Sequence, residues 1–163
     1  MSRVRSAIHV RTGEPAAGQL VAAWLARHGI ATTDFPDVYE TCAYLIQQGA
    51  SAPDLAWVGA DGLAADEIQI VDYIRDTWLG TAIIAYATSA EAPLPADGVL
   101  TRACPSSDAL RQLLADSPEE LLRRLRAPPS VAGPLKPAEV QDLGIRSVLN
   151  SAELAALLDE QPD

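Results

Sequence analysis

The chain has 163 residues, 48% hydrophobic and 21% charged, and its 22 acids against 12 bases leave a net charge of −10. A chain of this length buries roughly 70% of its unfolded surface and needs no disulfide or metal to fold. Its acidity opposes nucleic-acid binding, and no run of about 18 apolar residues offers a membrane span. Cys42 and Cys104 stand far apart with no CxxC spacing, so they read as reduced thiols in a cytoplasmic protein. The N-terminus, "MSRVRSAIHVRTG", carries arginines but lacks the apolar core of a signal peptide.

Strand and helix patterns then alternate. "SAIHVRT" (6–12) is a first strand, and "EPAAGQLVAAWLARHG" (14–29) is a helix with Leu20, Ala23, Trp24 and Leu25 on its apolar side, stopped by Gly29. "IATTDF" (30–35) is a second strand. Asp37 caps "VYETCAYLIQQG" (38–49), where Tyr44, Leu45 and Ile46 anchor the packed side. "DLAWVG" (54–59) is a third strand, and "DEIQIVDYIRDTW" (66–78) sets Ile70, Val71 and Ile74 at helical spacing. "TAIIAYA" (81–87) is apolar enough for a central parallel strand, and "DGVLTRA" (97–103) is a fifth strand. Between strands four and five lies "TSAEAPLPAD" (88–97), where Pro93 and Pro95 forbid a regular helix. Ser106 or Ser107 starts "DALRQLLAD", and Ser117-Pro118-Glu119-Glu120 fits a capping box opening "EELLRRLRA".

This order predicts an α/β fold: a (βα)5 doubly wound, five-stranded parallel sheet of flavodoxin-like form over residues 1–127. The fourth helix is shortened or replaced by a loop. "PPSVAGPLKP" (128–137) reads as a Pro-rich linker, and residues 138–163 as a helical C-terminal tail whose Leu154, Leu157 and Leu158 form an apolar stripe.

The element order and the stretch from Pro53 to Arg75 resemble the receiver domains of bacterial two-component response regulators. In that family strand three ends in a phosphoacceptor aspartate, and an acidic-glycine pair seven and eight positions later opens the third helix. Here "PDLAWVG" ends at Gly59, Asp66 lies seven positions on, and Glu67 follows. "LVAAWLARHGI" carries the family's leucine spacing in the first helix.

The resemblance implies a pocket stripped of its chemistry. The acidic pair that binds Mg²⁺ falls on Thr12 and Gly13, the phosphoacceptor on Gly59, the hydroxyl after strand four on Ala87 with Thr88 one step later, and the strand-five lysine on Arg102. Phosphoryl transfer needs an in-line nucleophile, a metal and a cation, and only the cation remains. Asp61 is the substitute acid to consider, although two residues of extended chain carry it about 6–7 Å past the strand end. A solvated turn is the alternative reading of Asp61.

Other chemistry is sparse. His9 reads as a core histidine, and two histidines with two scattered cysteines assemble no metal set. No phosphate-cradling GxGxxG or GxxxxGK[ST] occurs, and no cofactor is expected. Trp78, at the exit of the third helix, is the tryptophan placed best for an exposed interaction. The leading expectation is a non-enzymatic, phosphorylation-independent pseudoreceiver that binds protein: a histidine kinase, another regulator, or a second copy in a homodimer. It binds neither nucleic acid nor membrane. The alternative is a nucleotide or anion sensor at the strand ends near Thr12, Gly59 and Arg102. An enzyme would require Asp61, Glu14 and Arg102 to converge.

Overall fold

The computed structural model describes residues 3–48 and 52–127. The elements run β1 (Ser6–Val10), α1 (Pro15–Arg27), β2 (Ala31–Phe35), α2 (Val38–Gln48), β3 (Leu55–Gly59), a 3-10 turn (Glu67–Gln69) leading into α3 (Ile70–Thr77), β4 (Ala82–Tyr86), β5 (Thr101–Cys104), α4 (Ser107–Leu114) and α5 (Pro118–Arg126). The five strands form one parallel sheet in the order β2-β1-β3-β4-β5. This is the doubly wound α/β fold expected from the alternating pattern. The expected linker at 128–137 and tail at 138–163, with Leu154, Leu157 and Leu158, lie outside the described residues.

The central strands are continuous apolar runs because helices cover them on both sides. Every residue of β3 (LAWVG) and β4 (AIIAY) is buried, whereas the edge strand β2 (ATTDF) is mostly exposed. Strand alternation then sorts side chains into two cores. Trp57 and Tyr86 pack with Trp24 and Leu25 of α1, Leu110 of α4 and Leu125 of α5. Ile8, Val58 and Ile83 pack with Leu45 of α2 and Ile70 and Ile74 of α3.

Caps terminate the helices as anticipated. The Asp37 carboxylate accepts the Glu40 N–H at 2.8 Å, and Ser106 and Ser117 hydroxyls accept the N–H groups of Ala109 and Glu120, each at 3.2 Å. No helix forms between β4 and β5, and residues 87–100 cross as bends and turns. Among the described residues no helix is long and apolar enough to cross a membrane.

Several expectations are corrected. In α1, Ala17 and Val21 face inward with Trp24 and Leu25, while Leu20 and Ala23 turn outward. In α2, Leu45 is buried but Ile46 is 71% exposed, because consecutive helical residues lie about 100° apart. β5 begins at Thr101 rather than Asp97, since a Gly98–Thr101 bridge and Leu100 at φ 60° make a turn there. Trp78 is not an exposed anchor: it is 7% exposed and belongs to the core beneath α2 and α3. Its N–H bonds the Ile74 carbonyl and its carbonyl accepts the Thr81 N–H, so the chain turns tightly and Leu79 takes the outward position at 83% exposure.

Candidate functional site

The C-terminal ends of β1, β3 and β4 bring together the loops that carry chemistry in doubly wound folds. Gly59 is the last residue of β3, level with Tyr86 of β4. A side chain on Gly59 has nowhere to go. Its Cβ would overlap the Thr12 carbonyl oxygen and lie 3.1 Å from the Tyr86 hydroxyl. The Thr12 hydroxyl also donates to the Gly59 carbonyl. The position where β3 would present an acid is therefore filled by the backbone leaving β1.

Two more glycines allow this approach. Gly13 adopts φ 91°, and a Cβ there would overlap the Asp61 side chain. A Cβ on Gly62 would lie 3.1 Å from the Gly13 nitrogen. Only glycine tolerates both the positive φ and the close backbone contact. The loop after β1 thus lies directly on the loop after β3.

Asp61 sits in the turn after β3, half-buried, and its carboxylate is engaged rather than open. Its carboxylate accepts the Thr88 N–H at 2.8 and 3.0 Å, the Thr88 hydroxyl at 3.0 Å and the Ser89 N–H at 2.8 Å. These bonds tie the β3 exit to the β4 exit. Ala87, between Tyr86 and Thr88, is buried, and its N–H donates to the Cys104 carbonyl at 2.9 Å.

Arg102 does not join this site. It pairs in register with Ile84, and the β5 residue level with Gly59 and Tyr86 is Cys104. Arg102 therefore lies two residues short of the edge, about 6–7 Å away along the strand, and its guanidinium faces Asp97 at 3.9 Å. The register of β5 against β4 causes the shift. At the edge itself stands the buried Cys104, whose thiol burial pushes up to about 11, so it is uncharged at neutral pH. Glu14 is occupied as the N-cap of α1, accepting the Ala16 N–H. Asp61, Glu14 and Arg102 thus have separate partners.

These residues do not fit a divalent metal. Mg²⁺ takes carboxylate oxygens and water in octahedral array. Thr12 and Gly13 supply no carboxylate, and that of Asp61 is already bonded to Thr88 and Ser89. No group of three or more His, Cys, Asp or Glu side chains gathers among the described residues.

Beside the sealed position runs a polar chain that sequence reasoning missed, buried at His9 and Tyr86 and open to solvent at Asp34 and Arg11. His9 Nε2 lies 2.7 Å from the Tyr86 hydroxyl, and His9 Nδ1 lies 3.3 Å from Asp34. Arg11 Nε is also 3.3 Å from Asp34. His9 Nδ1 thus lies between an acceptor, the Asp34 carboxylate at 3.3 Å, and a donor, Arg11 Nε at 3.4 Å, and the tautomer decides whether Nε2 donates to or accepts from the Tyr86 hydroxyl. Burial lowers the His9 pKa to about 4, an effect that Asp34 opposes but does not cancel. Burial also raises the pKa of the Tyr86 phenol well above its ordinary value. Both groups are neutral at neutral pH. Between this chain and the start of α1 is a cavity of about 230 Å³ lined by Arg11, Thr12, Gly13, Pro15, Gly18 and Tyr86. His9 lies in the core, as its place inside the first strand predicts. Its partner was not legible, because only the strand register brings residue 86 to residue 9.

No protein-family model and no curated protein matches the sequence. Solved structures similar in fold are response-regulator receivers. An orphan response regulator of H. pylori is 15% identical, with 75% of this chain and all of that chain covered, at a TM-score of 0.50. The BeF3-activated receiver domain of Klebsiella pneumoniae RstA is 20% identical, covering 75% of this chain and 96% of that one, at 0.46. A response regulator from Burkholderia pseudomallei with a phosphorylated aspartate is 17% identical, covering 89% and 75%, at 0.49. The chain has the receiver-domain fold.

Proposed function

We propose that this domain is a pseudoreceiver: a non-enzymatic signalling module that works by binding protein, without phosphorylation. The observation that carries the reading is the Thr12 carbonyl seated where a side chain on Gly59 would stand. Loss of an acceptor by substitution alone would leave an empty pocket. Here the surrounding backbone has closed over it, and the other acid of the edge, Asp61, is bonded to Thr88 and Ser89. Protein partners in keeping with the reading are a histidine kinase, another regulator or a second copy of this chain, the last through Leu154, Leu157 and Leu158. A reducing cytoplasm suits its two free thiols.

Intact mass after incubation with a small-molecule phosphodonor and Mg²⁺ tests the reading. The mass is expected to stay unchanged. A stable gain of about 80 Da, the mass of one phosphoryl group, that disappears in Asp61→Asn would overturn it. The ligand-sensor alternative is less well supported: the cavity of about 230 Å³ beside Tyr86 is smaller than the roughly 300–1,000 Å³ of small-molecule sites, and Arg102 is directed to Asp97 instead.

A further inference from the structure

The α2–α3 side of the sheet carries a groove separate from the contacts at Gly59. It runs between α2 and the segment 66–76, and encloses about 540 Å³. Its exposed apolar surface comes from two tyrosines, Tyr39 at 71% exposure and Tyr73 at 42%, with half-buried Cys42 beside them, while Val38 and Ile70 at its base are buried. Exposed tyrosines along a concave groove suit protein contact, since each contributes a large rigid ring with a polar tip.

The charge around this surface is of one sign. Asp66, Glu67, Asp72 and Asp76 line the groove, and no basic residue does. Arg75 offsets Asp72 from outside the lining, at 2.5 Å. Asp66, which precedes the 3-10 turn, makes no capping bond there. The Glu67 carboxylate accepts the Ala64 N–H at 2.7 Å and, across the groove, raises the pKa of the Tyr39 phenol. Carboxylates gathered round apolar surface repel phosphate-bearing partners, whether nucleic acid or anionic lipid, and attract cationic ones. The flanking helix α3 has eight residues, about 12 Å, so the groove accommodates two to three turns of a helical segment.

We propose that the α2–α3 groove docks a short basic amphipathic helix of a partner protein, with its apolar side on Tyr39, Cys42 and Tyr73 and its lysines or arginines against the carboxylates of Asp66, Glu67 and Asp76. This is helix-in-groove recognition with electrostatic complementarity at the rim. It rests on the reading that the domain acts by binding protein, and it names the face and the chemistry of the partner. The face is distinct from the edge at Gly59, so occupancy requires no change there.

The test uses the full chain and a Leu/Lys peptide of about 14 residues whose leucines share one helical side. Amide shifts are followed by ¹⁵N NMR at low and moderate salt. Saturable shifts confined to residues 38–42 and 66–76 are expected. Affinity should fall about tenfold in Asp66→Asn/Asp76→Asn and again in Tyr73→Ala, consistent with one or two central contacts carrying an interface. The control Asp108→Asn/Glu119→Gln removes two exposed acids from α4 and α5 and should leave affinity unchanged. These are surface positions, and circular dichroism confirms that each variant is folded. Shifts spread over all acidic surfaces, equal weakening by the control pair, or equal binding of a scrambled peptide of the same charge would each overturn the proposal. The readout here is peptide affinity at one face, whereas the phosphodonor experiment reads covalent mass, so either idea can fail without the other.

Discussion

At the scale of single residues, Gly59 and His9 carry the sharpest expectations. Gly59→Ala adds one methyl group against the Thr12 carbonyl and the Tyr86 hydroxyl, and neither can retreat without moving β4 or the loop after β1. Overpacking of this kind costs about 1–3 kcal/mol, so a clear drop in the urea midpoint is expected. Gly59→Asp should cost more, because a carboxylate would enter the same closed space without a cation. A variant Gly59→Asp as stable as the parent would contradict the closed geometry. His9 sets a pH dependence. Its folded pKa of about 4 lies below the ordinary 6.5, so the unfolded chain binds the extra proton as pH falls. The stabilisation is complete above about pH 6.5 and disappears as pH falls towards 4. The loss down to about pH 5 is on the order of 2 kcal/mol. Urea titrations of His9→Gln across that window should show a distinctly flatter profile than the parent.

At the scale of elements, the connection from β4 to β5 contains no helix and is held from outside. The Asp61 carboxylate caps its first turn through Thr88 and Ser89, and Asp97 closes its far end by accepting the Ala103 N–H at 2.7 Å. Asp61→Ala should free this segment, with faster amide exchange over residues 88–98 and a stability loss of about 1–2 kcal/mol. Unchanged exchange there would remove Asp61 from this role. The two prolines at 93 and 95 made the missing helix legible from sequence. What replaces it was not legible, since Asp61 and Thr88 meet only through the pairing of β3 with β4. Helix ends were more transparent: Ser117 was recognisable as a cap, and Ser117→Ala should cost about 1 kcal/mol by thermal unfolding.

At the scale of the whole molecule, the position at Gly59 is closed by the backbone leaving β1, while the α2–α3 side is open and acidic. A site that binds only the folded state adds about 2.7 kcal/mol of stability at 100 times its dissociation constant. Mg²⁺ at about 10 mM should therefore leave the melting temperature unchanged, since Thr12, Gly13 and Asp61 offer it no ligand set. A rise of several degrees would reopen the metal question. The sequence by itself determined the α/β class, the order of strands and helices, the loop at 88–97 and the absence of a side chain at Gly59. Those follow from local periodicity, from proline and cap chemistry, and from counting along one strand. The tertiary structure decided the rest. Register moved the edge position on β5 from Arg102 to Cys104 and brought Tyr86 to His9. Packing turned Trp78 inward and gave Asp61 its partners. Contacts between distant strands leave no trace in the spacing of residues along one of them, and for that reason the closure over Gly59 could be seen only in the folded chain.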